Sequence, residues 1–182
     1  LYDRMKPGVD ALGPDNLLGF FTGPLTGSPS IEGNRFVVVC KSPLTDTWGD
    51  ANCGGTFGPN LKFAGYDGIV FTGASDKPVY LYIENGKPEL MDAADLWGKD
   101  SNETEDSLKA AHGNEKGRKG QPVEGACIGQ AGEHQSLVSA VMNDHGRAAG
   151  RSGLRAAKAS QKLHAIAGSD SMEIPPHHAE TA

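Results

Sequence analysis

Apolar residues occur along the chain in short runs, with polar and glycine-rich segments between them. Runs of this length that are rich in aromatic and β-branched residues are typical of short, buried β-strands. A turn-rich loop at 23–34 and a polar, glycine-heavy stretch at 42–58 interrupt the pattern. The strands predicted in this way are 16–22, 35–40, 68–72, 123–129, 135–142 and 163–167. The run at 135–142 also fits a helical period, so both assignments stay open there.

The clearest local signal is a β-hairpin formed by 79–84 and 88–91. The segment between them begins with Asn85-Gly86, a pair that tolerates the positive φ angles of a tight turn between twisted strands. The two strands are therefore expected to be antiparallel neighbours in one sheet.

Helical patterns are few and short. They cover 57–65, 104–112 and 147–160, the last of which is rich in Ala, Lys and Arg. Gly113 is expected to end the second helix. No internal repeat is visible, and the elements together predict a single layered α+β domain. We place that domain at residues 1–168 and expect a disordered tail at 169–182.

The composition narrows the class of protein. The chain has 182 residues, of which 25 are glycine and 11 are proline, so one loop-rich domain is expected. The net charge of −6 argues against general binding to nucleic acids or anionic membranes, because both require a basic surface. No apolar run approaches the roughly 20 residues that span a bilayer.

The three cysteines, Cys40, Cys53 and Cys127, lie far apart and form no CxxC pair. The chain therefore shows no zinc or iron–sulfur motif of its own. A sparse, odd number of cysteines favours a reducing compartment, and we expect the cytoplasm. The chain starts at Leu1 without an initiator Met or the apolar stretch of a signal peptide, which predicts that it begins within a domain.

The segment 49–58 carries four glycines within ten residues. Glycine lets the backbone come close to a ligand and lets successive N–H groups point at it. The spacing fits neither the dinucleotide-binding fingerprint nor the P-loop, since no Gly-Lys-Ser/Thr follows. A tight loop without a ligand is the alternative interpretation, and it is the commoner one for such stretches.

The segment 143–153 holds Arg147 and Arg151 with only Ala and Gly between them. If a helix begins here, both guanidinium groups lie on one face beside free backbone N–H groups, which suits phosphate. The alternative is an ordinary solvated helix start, because arginine is common on helix surfaces. Arg35, alone before an apolar strand, is by itself a structural or surface residue.

Three longer motifs and three shorter ones stand in order along residues 1–168. The longer ones are Asn34-Arg35-Phe36-Val37-Val38-Val39-Cys40-Lys41-Ser42-Pro43-Leu44-Thr45, then Leu61-Lys62-Phe63-Ala64-Gly65-Tyr66-Asp67, then Met142-Asn143-Asp144 with Arg147-Ala148-Ala149-Gly150-Arg151. The shorter ones are 22–27, 92–98 and 129–133. Their order and spacing resemble the N-terminal domain of the tungsten-containing aldehyde:ferredoxin oxidoreductases.

The resemblance implies a fold and a function. In that family this domain is α+β, with two β-sheets and short helices, and a bis-pterin cofactor of tungsten (or molybdenum) lies on it. The family reaction oxidises aldehydes to carboxylic acids with water and passes two electrons through a [4Fe–4S] cluster to ferredoxin. The cluster cysteines and the substrate channel lie in further domains. This chain would then be the cofactor-binding part of a larger or split enzyme, lacking the first strands of the family domain. Its partners would be the missing domains or a partner chain, and ferredoxin or another electron-transfer subunit.

The resemblance also implies cofactor contacts for individual residues of this chain. The resemblance implies that the pterins and their phosphates contact Arg35, Asn52, Gly54, Arg147, Ala148, Gly150 and Arg151. A magnesium ion between the two phosphates would be held by the main-chain carbonyls of Asn52 and Ala148. Phosphates do favour bidentate arginine, bare N–H groups and a hard cation with oxygen ligands. This agreement lowers the weight of the ligand-free interpretation for both segments.

The sequence departs from the family pattern at 155–159, where Arg-Ala-Ala-Lys-Ala replaces glycine and apolar residues. We expect the extra charge and bulk to shift how this segment packs beneath the pterin. Cys53 is expected to be a small buried residue and not a metal ligand. His145 is a secondary candidate for cofactor contact or capping, and Asp50 and Asp144 are candidates for holding an arginine in place.

Two alternatives to an aldehyde-oxidising enzyme remain open. One is a stand-alone, non-catalytic module that binds a pterin or another phosphate-bearing ligand. The other is a subunit of a related tungsten enzyme with a different substrate, such as an aromatic thioester. In isolation we expect the domain to be unstable or to self-associate, for instance as a homo-oligomer, because surface shaped for a cofactor and neighbours would be exposed.

Overall fold

The computed structural model of the chain describes residues 2–28, 33–113 and 123–170, and within them the strands form two sheets. The strands of the first sheet are β1 (Leu18–Thr22), β2 (Phe36–Lys41), β3 (Trp48–Cys53) and β4 (Gly68–Phe71). They lie in the order β3-β2-β1-β4, and each neighbouring pair is antiparallel. In this sheet β3 is an edge strand.

The second sheet is larger and mixed. Its strands are β5 (Val79–Glu84), β6 (Lys87–Asp92), β7 (Glu124–Cys127), β8 (Val141–Asn143), β9 (Arg147–Ala149) and β10 (Leu163–Ser169). They lie in the order β6-β5-β10-β7-β8-β9. β10 runs parallel to β5, whereas the other neighbouring pairs are antiparallel. In this sheet β9 is an edge strand.

The helices are short, and they follow a 3₁₀ turn at Tyr2–Arg4. They are α1 (Phe57–Phe63), α2 (Ser101–His112), α3 (Gln130–Glu133) and α4 (Leu154–Ser160). The longest, α2, begins with a capping box: the Asp100 carboxylate accepts from the Glu103 amide at 2.9 Å, and the Glu103 carboxylate accepts from the Asp100 amide at 3.0 Å. It ends at Gly113, whose φ of 79° costs glycine little.

Apolar side chains from both sheets, α1 and α4 share one core. The ring of Phe57 lies edge-on to Phe36 at 4.9 Å and to Phe20 at 6.1 Å. The side chain of Lys158 on α4 is fully buried here, where its ammonium donates to the carbonyl of Ala126 at 2.9 Å and lies 5.5 Å from the centre of the Phe20 ring. Because the two sheets and two helices pack on the same residues, the core fixes the edge strands β3 and β9 relative to each other.

The α+β fold of two sheets and short helices expected for this chain is confirmed. The β5–β6 hairpin, the strands β1, β2, β4, β7 and β10, and the helices α1 and α2 lie within a few residues of their predicted positions. These elements carry the longest apolar runs or the clearest turn and cap residues.

The helix predicted at 147–160 is wrong in its first half. Residues 147–149 form β9, which pairs with β8, and α4 begins only at Leu154. Between them Arg151, Ser152 and Gly153 all have positive φ, which a right-handed helix does not contain. The high helix propensity of this Ala-rich segment is overridden by strand pairing.

Two further assignments are wrong. The strand β3 lies within the polar, glycine-heavy stretch at 42–58, where we predicted no strand. The exposed residues of β3 are Trp48, Asp50 and Asn52, and they alternate with the buried residues Gly49, Ala51 and Cys53. Because the buried residues are small, the strand gives only a weak apolar signal. Of the strand predicted at 135–142, only the end belongs to β8, because α3 and a turn precede it.

The end of the domain lies slightly beyond its predicted position. β10 continues to Ser169, which is buried together with Asp170, so the chain is ordered past residue 168. The rest of the predicted tail, 171–182, lies outside the described residues. Within the described ranges, each helix is too short or too polar to cross a bilayer.

His112, the last residue of α2, is expected to make the fold sensitive to acid. Its ring stacks on Tyr82 at 3.6 Å, and its Nε2 lies 2.9 Å from the hydroxyl of Tyr80. Burial lowers the pKa of His112 below its ordinary value of 6.5, although Glu84 opposes the shift. The folded chain therefore favours the neutral ring, and this contribution to stability is lost as the pH falls through the lowered pKa.

We expect His112→Gln to flatten the fall in Tm between about pH 7 and pH 5. Scanning calorimetry at several pH values measures the slope, with His134→Gln as the control at an exposed histidine. Equal slopes in the wild type and in His112→Gln would contradict the prediction.

Candidate functional site

The edge strands β3 and β9 of the two sheets lie next to each other. Residues of β3 alternate between core and solvent, so Asp50 and Asn52 are exposed. β9 exposes Arg147 and Ala148. The junction of the two sheets therefore brings together residues from both segments that the sequence identified as candidates.

The main-chain carbonyl of Asn52 points away from β2. The amide of Ser42 donates to the carbonyl of Thr47 at 2.8 Å, which marks these two residues as a hydrogen-bonded pair at the start of the β2–β3 ladder. Because hydrogen-bonded and non-hydrogen-bonded pairs alternate along an antiparallel ladder, Asn52 occupies a non-hydrogen-bonded position. The carbonyl of Asp50, on the same side of the strand, accepts from Oγ of Ser152 at 3.1 Å. The carbonyl of Asn52 therefore lies on the free edge of β3.

Arg35 stands immediately before β2 and reaches the neighbouring strand. Its Nη1 donates to Oδ1 of Asn52 at 2.7 Å, and its main-chain carbonyl accepts from Oγ1 of Thr26 at 2.8 Å. Arg35 and Asn52 both line a groove of about 350 Å³ with an apolar wall that includes Phe21 and Leu25. The guanidinium group is thus held in place beside open space.

The β8–β9 hairpin brings Arg147 and Ala148 to the junction. Asn143 at the end of β8 is paired with Arg147, and the turn between them contains Asp144 and His145 with φ of 51° and 49°. The Arg147 side chain is 60% exposed, and its Nε lies 3.7 Å from Oδ2 of Asp144. Asp144 therefore occupies the position expected of a residue that holds an arginine.

Cys53, Gly55 and Asn143 form a close contact between the two sheets. Nδ2 of Asn143 donates to Sγ of Cys53 at 3.2 Å. Oδ1 of Asn143 lies against Gly55, where an added Cβ would come within 2.3 Å of it. Asn143 is fully buried, and among the described residues its Oδ1 has no hydrogen-bond partner. Glycine at position 55 is therefore required by packing, whether or not a ligand is present.

The other glycines of this segment differ in how much space an added Cβ would have. A Cβ at Gly49 would come within 2.9 Å of Leu154 and Ser42, and a Cβ at Gly58 would come within 3.2 Å of the carbonyl of Asn34. Among the described residues, a Cβ at Gly54 would approach no atom closer than 3.8 Å. The tight-loop interpretation thus explains three of the four glycines, and Gly54 is the one that leaves open space.

The positive charges of two arginines act on Cys53. Burial raises the pKa of its thiol, and the hydrogen bond from Asn143 and the positive charges of Arg35 and Arg147 oppose this only in part. Arg35 bonds to Asn52 next to Cys53, and a Cβ added at Gly55 would come within 3.3 Å of Cγ of Arg147, so both arginines lie beside the segment that contains Gly54. Cys53 is 3% exposed, which confirms the prediction of a small buried residue.

Arg151 follows β9 in a left-handed turn and not on a helix. Arg151 and Ser152 have φ of 62° and 44°. Ser152 is tied to the first sheet: its hydroxyl donates to the carbonyl of Asp50, and its carbonyl accepts from Oγ of Ser42 at 2.7 Å. Asp50, considered as a partner for an arginine, thus acts through its main chain. The guanidinium of Arg151 is exposed and bonds to no other residue in the described ranges.

The predicted site residues lie on or directly beside β3 and β9, the two edge strands that contact each other. They are Arg35, Asn52, Gly54, Arg147, Ala148, Gly150 and Arg151. Three exposed guanidinium groups supply donors for phosphate. The carbonyl of Asn52, which has no hydrogen-bond partner within the described ranges, supplies the kind of oxygen that a hard cation binds. This donor set fits an anionic, phosphate-bearing cofactor. The shared helix face that we expected for Arg147 and Arg151 is wrong, because pairing of β9 with β8 places the two residues on a strand and a turn.

Sequence reasoning missed two supporting residues. Asn143 was part of a motif but carried no role, and Glu105 was not considered at all. Oε2 of Glu105 accepts from the main-chain N–H of His145 at 3.0 Å. The imidazole of His145 also faces α2, since its Nε2 lies 3.4 Å from Oδ1 of Asp106. No local pattern signals these contacts, because their partners are distant in sequence.

Comparison with known proteins agrees with this picture. The chain matches the family described as aldehyde ferredoxin oxidoreductase, N-terminal domain, over residues 1–170. It is 47% identical over 175 residues to the tungsten-containing aldehyde ferredoxin oxidoreductases of Pyrococcus furiosus and Thermococcus kodakarensis, which covers 96% of this chain and 28% of each relative. It is 37% identical over 173 residues to an aliphatic sulfonate oxidoreductase, WOR-like subunit, of Pyrococcus furiosus, which covers 92% of this chain and 27% of that relative. The chain thus spans little more than a quarter of the length of these curated relatives.

A solved structure shares the fold. The active site complex BamBC of benzoyl coenzyme A reductase, in complex with 1,5-dienoyl-CoA, superposes on this chain with a TM-score of 0.88 and 35% identity. The match covers 96% of this chain and 26% of that chain. The arrangement of two sheets and short helices therefore also occurs inside a larger, multi-subunit assembly.

Proposed function

The chain belongs to the aldehyde ferredoxin oxidoreductase family, whose N-terminal domain it matches, and we propose that it forms the cofactor-binding base of a tungsten or molybdenum bis-pterin oxidoreductase. The enzyme would oxidise aldehydes to carboxylic acids with ferredoxin as the electron acceptor. The observation that supports the proposal is the group of exposed arginines at the junction of β3 and β9: Arg35 bonds to Asn52, Arg147 lies against Gly55, and Arg151 follows β9 directly. In a chain of net charge −6, such a group of exposed arginines fits a localised anionic ligand.

Each proposed contact has a physical role. Arg35, Arg147 and Arg151 would bind the pterin phosphates, and the open position at Gly54 would let the backbone approach them. Gly150, where a Cβ would meet only Ala140 at 3.6 Å, would do the same beside β9. The main-chain carbonyls of Asn52 and Ala148 would hold magnesium, which favours oxygen ligands. The bound metal–pterin group would supply the two-electron redox chemistry, while this chain binds and orients it.

In this proposal, the iron–sulfur cluster and the substrate pocket belong to other parts of the enzyme. A [4Fe–4S] cluster needs cysteine ligands, and the three cysteines of this chain are buried and far apart. Further domains or a partner chain would provide the cluster and the substrate pocket. Three buried cysteines also suit the reducing conditions of the cytoplasm, where we place the enzyme.

A second candidate function keeps the cofactor and changes the substrate. Two of the similar proteins are a benzoyl coenzyme A reductase complex and an aliphatic sulfonate oxidoreductase subunit. The same base therefore occurs in proteins named for other substrates. Aldehyde-dependent reduction of ferredoxin by the complete enzyme would favour the first proposal, and activity only with an aromatic thioester would favour the second.

Elemental analysis of the protein purified from its native source tests the proposed function. We expect tungsten or molybdenum, together with iron and magnesium, and intact-mass analysis should show whether a second chain co-purifies. Protein that contains neither tungsten nor molybdenum, and no partner, would contradict the catalytic proposal. It would leave a non-catalytic binding module as the better interpretation.

A further inference from the structure

Glu105 is a buried carboxylate on α2 that faces the β8–β9 hairpin. Only 2% of its side chain is exposed. Its Oε2 accepts the hydrogen bond from the main-chain N–H of His145 at 3.0 Å, across 40 positions of sequence. Because a buried carboxylate has lost its hydration, a main-chain donor is a valuable partner for it. The bond therefore matters to the helix and to the hairpin.

The turn that provides this donor is strained. Asp144 and His145 have φ of 51° and 49°, which residues other than glycine adopt uncommonly. The bond that closes the turn, from the amide of Gly146 to the carbonyl of Asn143, is long at 3.3 Å. The acceptor on α2 thus stabilises a backbone conformation that the bonds within the turn support only weakly.

Other charged groups surround the carboxylate. Nε2 of His145 lies 3.9 Å from Oε2 of Glu105 and 3.4 Å from Oδ1 of Asp106. Lys109 lies 3.6 Å from Glu124, and both act on Glu105. Burial raises the pKa of the Glu105 carboxyl, while the bond from His145 and the charges of His145 and Lys109 oppose the shift in part. The environment therefore favours an acceptor at position 105 more than it favours a negative charge.

The hairpin held in this way carries Arg147. Its base is fixed by the bond from Asn143 to Cys53 at 3.2 Å, and its tip is fixed by Glu105. We propose that Glu105 is a positioning residue: by accepting the hydrogen bond from His145 it holds the β8–β9 turn, and with it Arg147, in the geometry of the phosphate site. The inference rests on the proposed function, which gives Arg147 a phosphate to bind.

Three variants of the full-length protein separate the acceptor from the charge and the volume. Glu105→Gln keeps a carbonyl acceptor, and Glu105→Met keeps a similar volume without one. Asp106→Asn is the matched control, because Asp106 contacts the imidazole of His145 and not the turn amide. Hydrogen–deuterium exchange of the peptide covering 143–149 is measured on protein expressed without tungsten and molybdenum, and pterin content on protein expressed with them. We expect roughly tenfold faster exchange and less pterin in Glu105→Met, with wild-type values in the other two variants.

Slow, wild-type exchange in Glu105→Met would overturn the inference. Fast exchange in Glu105→Gln would also overturn the inference, since that variant retains the acceptor. This second outcome can be measured even if Glu105→Met does not fold. A wild-type protein that never contains pterin but shows the expected exchange pattern would contradict the proposed function instead, while supporting the role of Glu105 in the turn.

Discussion

Arg147→Ala is expected to strip most of the pterin and metal from the purified enzyme. The Arg147 side chain is exposed at the junction of β3 and β9, and its charge acts on Cys53 beside the open Gly54. A hydrogen bond to a charged group contributes about 1.5–3 kcal/mol, so its loss would weaken phosphate binding roughly 10- to 100-fold. Metal content by inductively coupled plasma mass spectrometry and pterin content by fluorescence after oxidation measure the effect.

Two controls make this result specific. Arg147→Lys keeps the positive charge but not the forked donor, and we expect an intermediate loss of pterin. Lys87→Ala removes an exposed positive charge from β6, at the far edge of the second sheet, and should change nothing. The Tm of Arg147→Ala should stay close to that of the wild type, because an exposed ion pair such as that with Asp144 contributes little. Unchanged metal and pterin in Arg147→Ala would count against the assigned site.

The parts of the fold that the sequence predicts are those whose signal is local. β2, β5 and β10 are buried along most of their length, so continuous apolar runs reveal them without knowledge of their neighbours. β3 gives no such signal, because its core-facing residues must be small. A Cβ at Gly49 would already come within 2.9 Å of Leu154 and Ser42. Leu154 belongs to α4, which is distant from β3 in the sequence, so no local pattern signals how little space β3 has.

For the site as well, the sequence predicts which residues take part but not how they are arranged. The resemblance transfers the residue types around Arg35 and Arg147 but not their setting, and helix propensity then places 147–152 on the wrong element. What fixes this segment is long-range: Asn143 bonds Cys53 across 90 positions, and His145 bonds Glu105 across 40. Contacts of this kind leave no periodicity, so a structure is needed to find them.

Gly55→Ala is expected to destabilise the domain by about 3–4 kcal/mol, because a backbone term and a packing term add. The φ angle of Gly55 is 104°, a backbone conformation that residues with a side chain rarely adopt. The new Cβ would also overlap Oδ1 of Asn143 at 2.3 Å, and Asn143 is fully buried and bonded to Cys53, so it has little room to move. Denaturant unfolding of the chain measures the loss in free energy of unfolding.

Gly98→Ala isolates the backbone term, since Gly98 has a similar φ of 93° and a Cβ there would meet no atom of the described ranges within 4 Å. We expect it to lose only about 1–2 kcal/mol. Gly54→Ala provides the opposite contrast. No atom of the described residues lies closer than 3.8 Å to the added Cβ, so this variant should fold normally. It should bind pterin less well, because the side chain would occupy the space proposed for the phosphate. Equal losses of stability in Gly55→Ala and Gly98→Ala would show that Asn143 does yield. The contact between β3 and the β8–β9 hairpin would then be too soft to fix Arg147 against the first sheet.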